Sequence, residues 1–210
     1  MNTVVIIQAR MGSTRLRGKM MMEIGGKPMI QHVIENCQKI KNADLVICAL
    51  PQLDSSKPLS SMAFSLGLSV YYGAELNVLQ RYYDAACCYS ADVIVRVTGD
   101  CPLIDPEICE KVIELRRSEN AEYASNVHPR SFPKGLDCEV FTFNALQQAH
   151  LNATDPYDLE HVTPYIIRNY PRVNLASGEF GIDHINWSVD TLDDLERVRS
   201  IYAERQEKAA

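Results

Sequence analysis

The sequence predicts an α/β fold in which helices cover a mainly parallel sheet. Residues 4–7 form an unbroken run of β-branched side chains, VVII, which is typical of a strand buried on both faces. Similar apolar runs recur along the chain, and each is followed by a loop and a helical pattern. This repetition is typical of parallel strands joined by right-handed crossovers. The length of 210 residues suits one domain, so residues 1–210 are predicted to form a single domain.

The elements can be assigned in order along the chain. Strands are predicted at 4–7, 45–50, 68–72 and 92–98, and helices at 28–39, around Met62 and Leu66, at 78–89 and at 108–116. Residues 121–143 then alternate short strand-like pieces with proline, glycine and polar residues, which predicts a small antiparallel excursion forming a wall of the site or a subunit contact. A short strand at 184–189 and a terminal helix complete a three-layer α/β/α, Rossmann-like domain.

The loop at residues 8–19 is the strongest functional signal. It combines cations with small residues in a chain whose net charge is −6. These residues are Arg10, Gly12, Ser13, Arg15, Arg17, Gly18 and Lys19. Because ligands of open α/β sheets bind at the carboxyl ends of strands, the loop predicts an anion site, with a phosphate chain as the obvious ligand. A solvated surface loop is the alternative, and the spacing matches neither a P-loop nor a Rossmann dinucleotide fingerprint.

A second polar segment, GDCPLIDP, follows the fourth strand at residues 99–106. Thr98 ends that strand, and Asp100 projects from its carboxyl end. A carboxylate facing a cationic phosphate loop suits Mg²⁺ bridging a triphosphate. Asp105 has a simpler role, since an aspartate directly before a proline is a typical helix N-cap.

Several other polar residues have both a structural and a functional interpretation. Arg81 lies in a helical pattern, where it is either a solvated charge or a ligand contact. Lys134 can belong to an ordinary turn, and His161 can be a satisfied core histidine. Asp190 or Thr191 can cap the terminal helix. Capping by Thr191 would leave Asp190 free to turn towards the site.

The composition argues against several classes of protein. A net charge of −6 is unlike that of a non-specific nucleic-acid binder. No apolar stretch reaches the roughly 20 residues of a transmembrane helix, so no membrane partner is predicted. The seven cysteines lack metal-site spacing. They predict reduced, buried thiols in a cytoplasmic protein and argue against zinc.

Five motifs share one resemblance. They are QARMGSTRLRGK at 8–19, VLQRY at 78–82, PKGLDCEVF at 133–141, EHVTPYI at 160–166 and VDTLDDLE at 189–196. Together they resemble the CMP-sugar cytidylyltransferases of the CMP-KDO and CMP-acylneuraminate type, and most closely the bacterial branch named after spore coat polysaccharide biosynthesis. The chain departs from that pattern at Arg17, where the family usually has proline.

The resemblance implies roles for individual residues. It implies a nucleotide site formed by Gln8, Ala9, Arg10, Gly12, Ser13, Arg15, Lys19, Arg81, Thr98 and Asp100, with Arg10, Lys19 and Asp100 in catalytic roles. It implies a site for the second substrate formed by Asn126, Arg130, Lys134, Asp137, Glu139, Glu160 and His161. It also implies that Asp100 and Asp190 hold Mg²⁺.

The implied reaction is transfer of CMP from CTP to an acidic sugar or a related small acceptor, with release of pyrophosphate, in the synthesis of surface polysaccharide precursors. Relatives in this family can form homodimers, so a homodimer is also expected. Two alternatives remain open. One is a GT-A-like glycosyltransferase, for which a DxD triad would be expected where residues 99–101 read GDC. The other is a non-catalytic nucleotide-binding protein.

Overall fold

A seven-stranded sheet forms the centre of the protein. The computed structural model describes residues 1–179 and 181–209. Its strands are β1 Thr3–Gln8, β2 Glu23–Ile24, β3 Lys27–Pro28, β4 Leu45–Pro51, β5 Ser69–Gly73, β6 Val93–Thr98, β7 Tyr123–Ser125, β8 Glu139–Thr142 and β9 Arg172–Asn174. The sheet order is β5-β4-β1-β6-β8-β7-β9, and β2 and β3 form a separate hairpin.

Eight α-helices connect and cover the strands in the described part of the chain. They are α1 Met29–Cys37, α2 Lys57–Ser65, α3 Val78–Cys88, α4 Pro106–Ser118, α5 Phe143–Asn152, α6 Pro156–His161, α7 Pro164–Asn169 and α8 Leu192–Ala209. None of these helices is long and apolar enough to cross a membrane. The predicted order of helices and main-sheet strands through residue 118 is confirmed, with boundaries shifted by a few residues, but the short hairpin of β2 and β3 was not predicted.

The two faces of the sheet carry separate apolar cores, because side chains alternate along each strand. Val5 and Ile7 of β1 face one core, which is closed by α1, α2, α4 and α8. Val4 and Ile6 face the other core, which is closed by α3, α5 and α7. The predicted three-layer α/β/α arrangement is therefore confirmed.

Parallel pairing brings the two predicted loops to one edge of the sheet. β1 lies between β4 and β6 and is parallel to both, and Gln8 is in register with Thr98. The chain therefore leaves β1 and β6 at neighbouring positions, so residues 9–19 and 99–105 emerge side by side.

The antiparallel strands in the range 121–143 are part of the main sheet. β8 is antiparallel to both β6 and β7, while β9 is parallel to β7. The predicted excursion does contain antiparallel strands, but they extend the sheet beyond β6. This pairing places β8 next to β6, the last strand of the parallel half of the sheet.

Three local predictions have different outcomes. The N-cap role of Asp105 is confirmed, since its carboxylate accepts from the N–H of Glu107 at 2.8 Å. The Asp194 N–H bonds to Thr191 Oγ1 at 3.3 Å, which leaves Asp190 outside the cap. The strand predicted at 184–189 is wrong, because this stretch forms turns and a single bridge between Asn186 and Lys134. The alternating polar and apolar residues of this stretch pack against the loop that contains Lys134.

The cysteines are all unpaired thiols in the described chain, and five are buried. Cys87 and Cys88 are exposed at the end of α3, so the prediction that every thiol is buried is wrong. The helical pattern leaves these two positions facing away from the core.

Candidate active site

A cavity of about 950 Å³ lies at the carboxyl ends of β1 and β6. Most of the residues singled out from the sequence line it. They are Gln8, Ala9, Arg10, Ser13, Arg15, Lys19, Arg81, Thr98, Asp100, Lys134, Asp137, Glu160, His161 and Asp190. Residues separated by up to 182 positions in the chain thus meet in one cavity, as expected for the open edge of an α/β sheet.

Lys19 joins the two aspartates at one end of this cavity. Its Nζ lies 3.2 Å from Asp100 Oδ2 and 3.0 Å from Asp190 Oδ1, and it donates to the carbonyl of Val189 at 2.6 Å. Lys19 is buried, with 5% of its surface exposed. Its burial fixes the ammonium between the carboxylates, which therefore converge on one point.

Asp190 is surrounded by cations. In addition to Lys19, Arg15 Nη2 lies 3.0 Å from its Oδ1, and Lys134 Nζ lies 3.4 Å from its Oδ2. Burial by itself would raise the pKa of Asp190, but the hydrogen bond and charge of Lys19, together with the charges of Lys134 and Arg15, lower it. The carboxylate is therefore ionised at neutral pH. Its negative charge holds three cations at the cavity.

Gly99 allows the loops after β1 and β6 to approach each other. A Cβ atom at this position would lie 2.9 Å from Ala9 Cβ and 3.2 Å from the carbonyl oxygen of Gln8. The Gly99 N–H donates to that same carbonyl at 2.7 Å. Thr98 Oγ1 then donates to Asp100 Oδ1 at 2.7 Å, which orients the aspartate towards Lys19.

A family model described as cytidylyltransferase matches residues 4–207. The chain belongs to the cytidylyltransferase family. It is therefore a CTP-dependent nucleotidyltransferase, and the resemblance recognised in its sequence motifs is confirmed.

Individual relatives are consistent with this family. An uncharacterized protein of Methanocaldococcus jannaschii is 40% identical over 80% of this chain and 68% of its own length. Spore coat polysaccharide biosynthesis protein SpsF of Bacillus subtilis is 30% identical, over 99% of this chain and 90% of its own. A 3-deoxy-manno-octulosonate cytidylyltransferase of Aeromonas salmonicida is 37% identical, but the match covers 60% of this chain and half of that enzyme.

A solved cytidylyltransferase structure from Leptospira borgpetersenii has the same fold. Its TM-score is 0.91 at 31% identity, and the superposition covers 97% of this chain and 87% of that one. The agreement extends over nearly the whole chain, so it includes both the parallel and the antiparallel halves of the sheet.

Four of the residues predicted from the resemblance do not line the cavity of the cytidylyltransferase. They are Gly12, Asn126, Arg130 and Glu139. Asn126 is fully buried, where its amide donates to the carbonyl of Leu136 at 2.7 Å and accepts from the N–H of Cys138 at 2.9 Å. Both ends of this amide hold the backbone leading into β8. The residue therefore braces a cavity wall without reaching the cavity surface.

Arg130 and Glu139 each contact a residue that does line the cavity. Arg130 forms a two-bonded pair with Asp137, at 2.7 and 2.8 Å. Glu139 accepts from Arg96 Nη1 at 2.6 Å. Arg130 and Glu139 therefore orient a side chain that borders the cavity and do not border it themselves. Which member of each pair borders the cavity is set by the packing of the folded chain, and a motif match does not reveal it.

Arg81 is not a solvated helix charge. It has 1% of its surface exposed, and its Nη1 donates to the carbonyls of Ala74 and Glu75, the latter at 3.3 Å. Burial lowers the pKa of Arg81, and the nearby charge of Arg10 lowers it further. A buried guanidinium close to a second one favours an anionic or strongly polar ligand between them.

The cavity also contains residues that the sequence motifs did not indicate. Arg96 lies on its floor, and Tyr157 lies beside His161 with ring centroids 4.3 Å apart. Arg96 did carry a signal, since it is the only charged residue between the ends of an otherwise apolar run, DVIVRVT. That signal is weak because a single polar residue is common in strands that face solvent.

The two aspartates are suited to one kind of metal ion. No group of three His, Cys, Asp or Glu residues that could hold a metal occurs among residues 1–179 and 181–209. Mg²⁺, however, is usually held by one or two carboxylates together with substrate phosphates and water. Asp100 and Asp190 share a cation between them, so their geometry fits this arrangement.

Proposed function

We propose that this cytidylyltransferase transfers CMP from CTP to an acidic sugar, or to a related small carboxylated or phosphorylated acceptor, in the synthesis of a surface polysaccharide precursor. The observation that carries the proposal is the convergence of Asp100 and Asp190 on Lys19 at one end of a large polar cavity. The names of two relatives, a spore coat polysaccharide biosynthesis protein and a 3-deoxy-manno-octulosonate cytidylyltransferase, support the class of acceptor.

In the proposed reaction, an oxygen of the acceptor attacks the α-phosphorus of CTP. The bond between that phosphorus and the bridging oxygen of pyrophosphate breaks, pyrophosphate leaves, and the acceptor proton passes to solvent. Arg10, Arg15 and Lys19 bind the triphosphate oxygens and neutralise charge as it develops on the leaving group. Positioning and electrostatics can carry most of such a reaction, so no covalent nucleophile is required.

Asp100 and Asp190 are the proposed ligands of Mg²⁺. When bound, Mg²⁺ would supply further neutralisation of the triphosphate charge. Two hydrogen bonds around the aspartates support this assignment. Thr98 orients Asp100 by a 2.7 Å hydrogen bond, and the Val189 N–H donates to the carbonyl of Asp100 at 2.9 Å, which keeps the two carboxylates together.

A pyrophosphate-release assay tests the function. The purified protein would be given Mg²⁺, each of the four nucleoside triphosphates, and a panel of acceptors that includes 3-deoxy-manno-octulosonate, N-acetylneuraminate and glucose 1-phosphate. Release that requires both CTP and one acidic acceptor is expected. Release with no combination, together with tight binding of a nucleotide sugar, would instead indicate a glycosyltransferase.

The variant Lys19→Met tests whether Lys19 acts on the triphosphate or only stabilises the fold. We expect turnover with CTP to fall about 100-fold, because a cation on the developing phosphate charge is lost. Mg²⁺ without CTP should raise the melting temperature of the variant more than that of the unchanged protein, since the ammonium no longer competes for the two carboxylates.

Lys27→Met is the matched control for this substitution. Lys27 pairs with Glu35 at 2.8 Å on the surface, and it does not line the cavity. Its loss should leave CTP turnover and the response to Mg²⁺ unchanged. An unchanged KM and kcat for CTP in Lys19→Met would contradict the role proposed for the first loop.

A further inference from the structure

Arg96 is a charged residue in the middle of a buried strand. In β6 it is in register with Ile6 of β1 and with Glu139 of β8, and its side chain lies on the same face as Ile94 and Thr98. This face otherwise packs against an apolar core. Only 15% of the Arg96 side chain is exposed, and the exposed part borders the cavity. Removing a guanidinium from water is costly unless its N–H groups find partners.

Only part of the Arg96 guanidinium is satisfied within the described chain. Nη1 donates to Glu139 Oε2 at 2.6 Å, and Tyr123 donates its hydroxyl to the other carboxylate oxygen at 2.7 Å. Burial would lower the pKa of Arg96, but Glu139 outweighs this effect and raises it. The Nε atom, in contrast, is buried and has no hydrogen-bond partner among residues 1–179 and 181–209. A planar guanidinium can bind a second anion along the edge that its first partner leaves free.

A second unsatisfied group lies on the same part of the cavity floor. Gln8 of β1 is in register with Thr98 of β6, and Thr98 lies two residues after Arg96 on the same face of the sheet. The Gln8 Oε1 atom is buried and likewise has no partner in the described residues. Arg96 and Gln8 both line the cavity, so one unsatisfied donor and one unsatisfied acceptor lie just beneath this part of its surface. A buried polar atom without a partner in a native protein is unusual and points to a missing ligand or water.

Arg96 lies near the end of β6 that leads to Asp100, one of the two aspartates. Arg96 and Thr98 are separated by about 7 Å along the strand, and Thr98 bonds directly to Asp100. The triphosphate cations lie on the loop after β1, whereas Arg96 lies on the side of the sheet next to β8. A ligand held by Arg96 would therefore lie beside the reacting phosphate and not along the triphosphate.

We infer that Arg96, oriented by Glu139 and Tyr123, binds an anionic oxygen of the acceptor and thereby selects acidic acceptors. This inference rests on the proposed function. The group that it recognises is a carboxylate or a phosphate, and either would accept from the free edge of the guanidinium. Glu139 keeps the pair neutral in the absence of the acceptor, and it fixes the plane in which the guanidinium meets its ligand.

The test uses the double variant Arg96→Met/Glu139→Gln. Replacing both partners avoids leaving Glu139 buried and unpaired, and glutamine still accepts from Tyr123. We expect KM for the acidic acceptor found in the panel to rise at least about 10-fold, which is the loss of one charge-assisted hydrogen bond. KM for CTP should change less than about twofold on the same reasoning. If Arg96 has only a structural role, the double variant should instead show a rise in both KM values, or a lower melting temperature with both KM values unchanged.

Two further measurements identify the recognised group. The single variant Arg96→Lys keeps the charge but not the planar fork, so its acceptor KM should lie between those of the unchanged protein and the double variant. With 3-deoxy-manno-octulosonate and its carboxamide as probes, the preference for the acid should shrink in the double variant if a carboxylate is bound. Glucose 6-phosphate compared with glucose tests phosphate in the same way, because both sugars keep the same anomeric hydroxyl as the attacking group.

The outcomes distinguish this inference from the proposed function. If the unchanged protein releases pyrophosphate with no member of the panel, the proposed function fails and this inference fails with it. If the unchanged protein is active, but the double variant keeps its acceptor KM and its preference for acids, only the role of Arg96 is refuted.

Discussion

Replacing Asp100 with asparagine should lower CTP-dependent pyrophosphate release about 1,000-fold, with little loss of stability. Asparagine has nearly the same shape, and its Oδ1 can still accept the 2.7 Å hydrogen bond from Thr98. It lacks the negative charge that a divalent cation and Lys19 require. The measurement is kcat at saturating CTP and Mg²⁺, accompanied by a thermal melt of the same preparation.

Asp105→Asn is the control for this change. Asp105 carries the same side chain five residues later and caps α4 by accepting from the N–H groups of Glu107 and Ile108. Asparagine is about as good an N-cap as aspartate, so both activity and melting temperature should be retained. Full activity of Asp100→Asn at ordinary Mg²⁺ concentrations would rule out its assignment as a metal ligand.

Gly135→Ala should lower both stability and activity, although Gly135 lies outside the cavity. A Cβ atom there would lie 2.6 Å from the backbone nitrogen of Ser188 and 2.6 Å from the carbonyl carbon of Trp187. The φ of Gly135 is +103°, which L side chains rarely adopt. Strain and overlap together should reduce the free energy of unfolding by about 3 kcal/mol. The melting temperature should then fall by about 10 °C.

The loss of activity in Gly135→Ala follows from the contacts of the same loop. The Lys134 N–H donates to the carbonyl of Ile185 at 2.9 Å, and its own carbonyl accepts from the Trp187 N–H at 2.6 Å. This docking fixes the chain at Trp187, three residues before Asp190. Displacing it should move the carboxylate away from Lys19, so turnover should fall even at temperatures where the variant is folded.

Gly26→Ala separates backbone strain from steric overlap. The φ of Gly26 is +81°, but nothing lies within 4 Å of the position that its Cβ would occupy. Its substitution should cost about 1 kcal/mol and leave turnover unchanged. If Gly135→Ala were no more destabilising than Gly26→Ala, the close contact with residues 187–188 would not determine the position of the loop.

The parallel half of the fold could be predicted from the sequence because its signals are local. The strands β1, β4 and β6 are buried on both faces, so each appears as an apolar run, and each run ends in a loop with distinctive glycines or charges. The convergence of Arg10, Lys19 and Asp100 then follows from the rule that parallel strands end at the same edge. The contact of Lys19 with Asp190 did not follow, since it depends on a loop from the far end of the chain.

The second half of the chain was harder to predict because its contacts are long-range. Residues 184–189 alternate polar and apolar side chains as a strand does. They pair, however, with the turn around Gly135, which is too short to form a strand ladder with them. Asn126 lies in a polar stretch of the sequence, but its amide holds the backbone that leads into β8. Arg96 and Glu139 become partners only through the register between β6 and β8, and no local pattern encodes that register.

The placement of α8 has a consequence for how the protein is made. Leu195 and Val198 complete the core that β1 begins, Arg199 donates to the carbonyl of Glu23, and Tyr202 donates to that of Pro102. The apolar surface of β1 thus stays uncovered until α8, which is made much later than β1, has been synthesised. During synthesis one face of the sheet remains available to chaperones or to aggregation. Asp190 arrives only at that stage, so the proposed activity would begin only once the fold is closed.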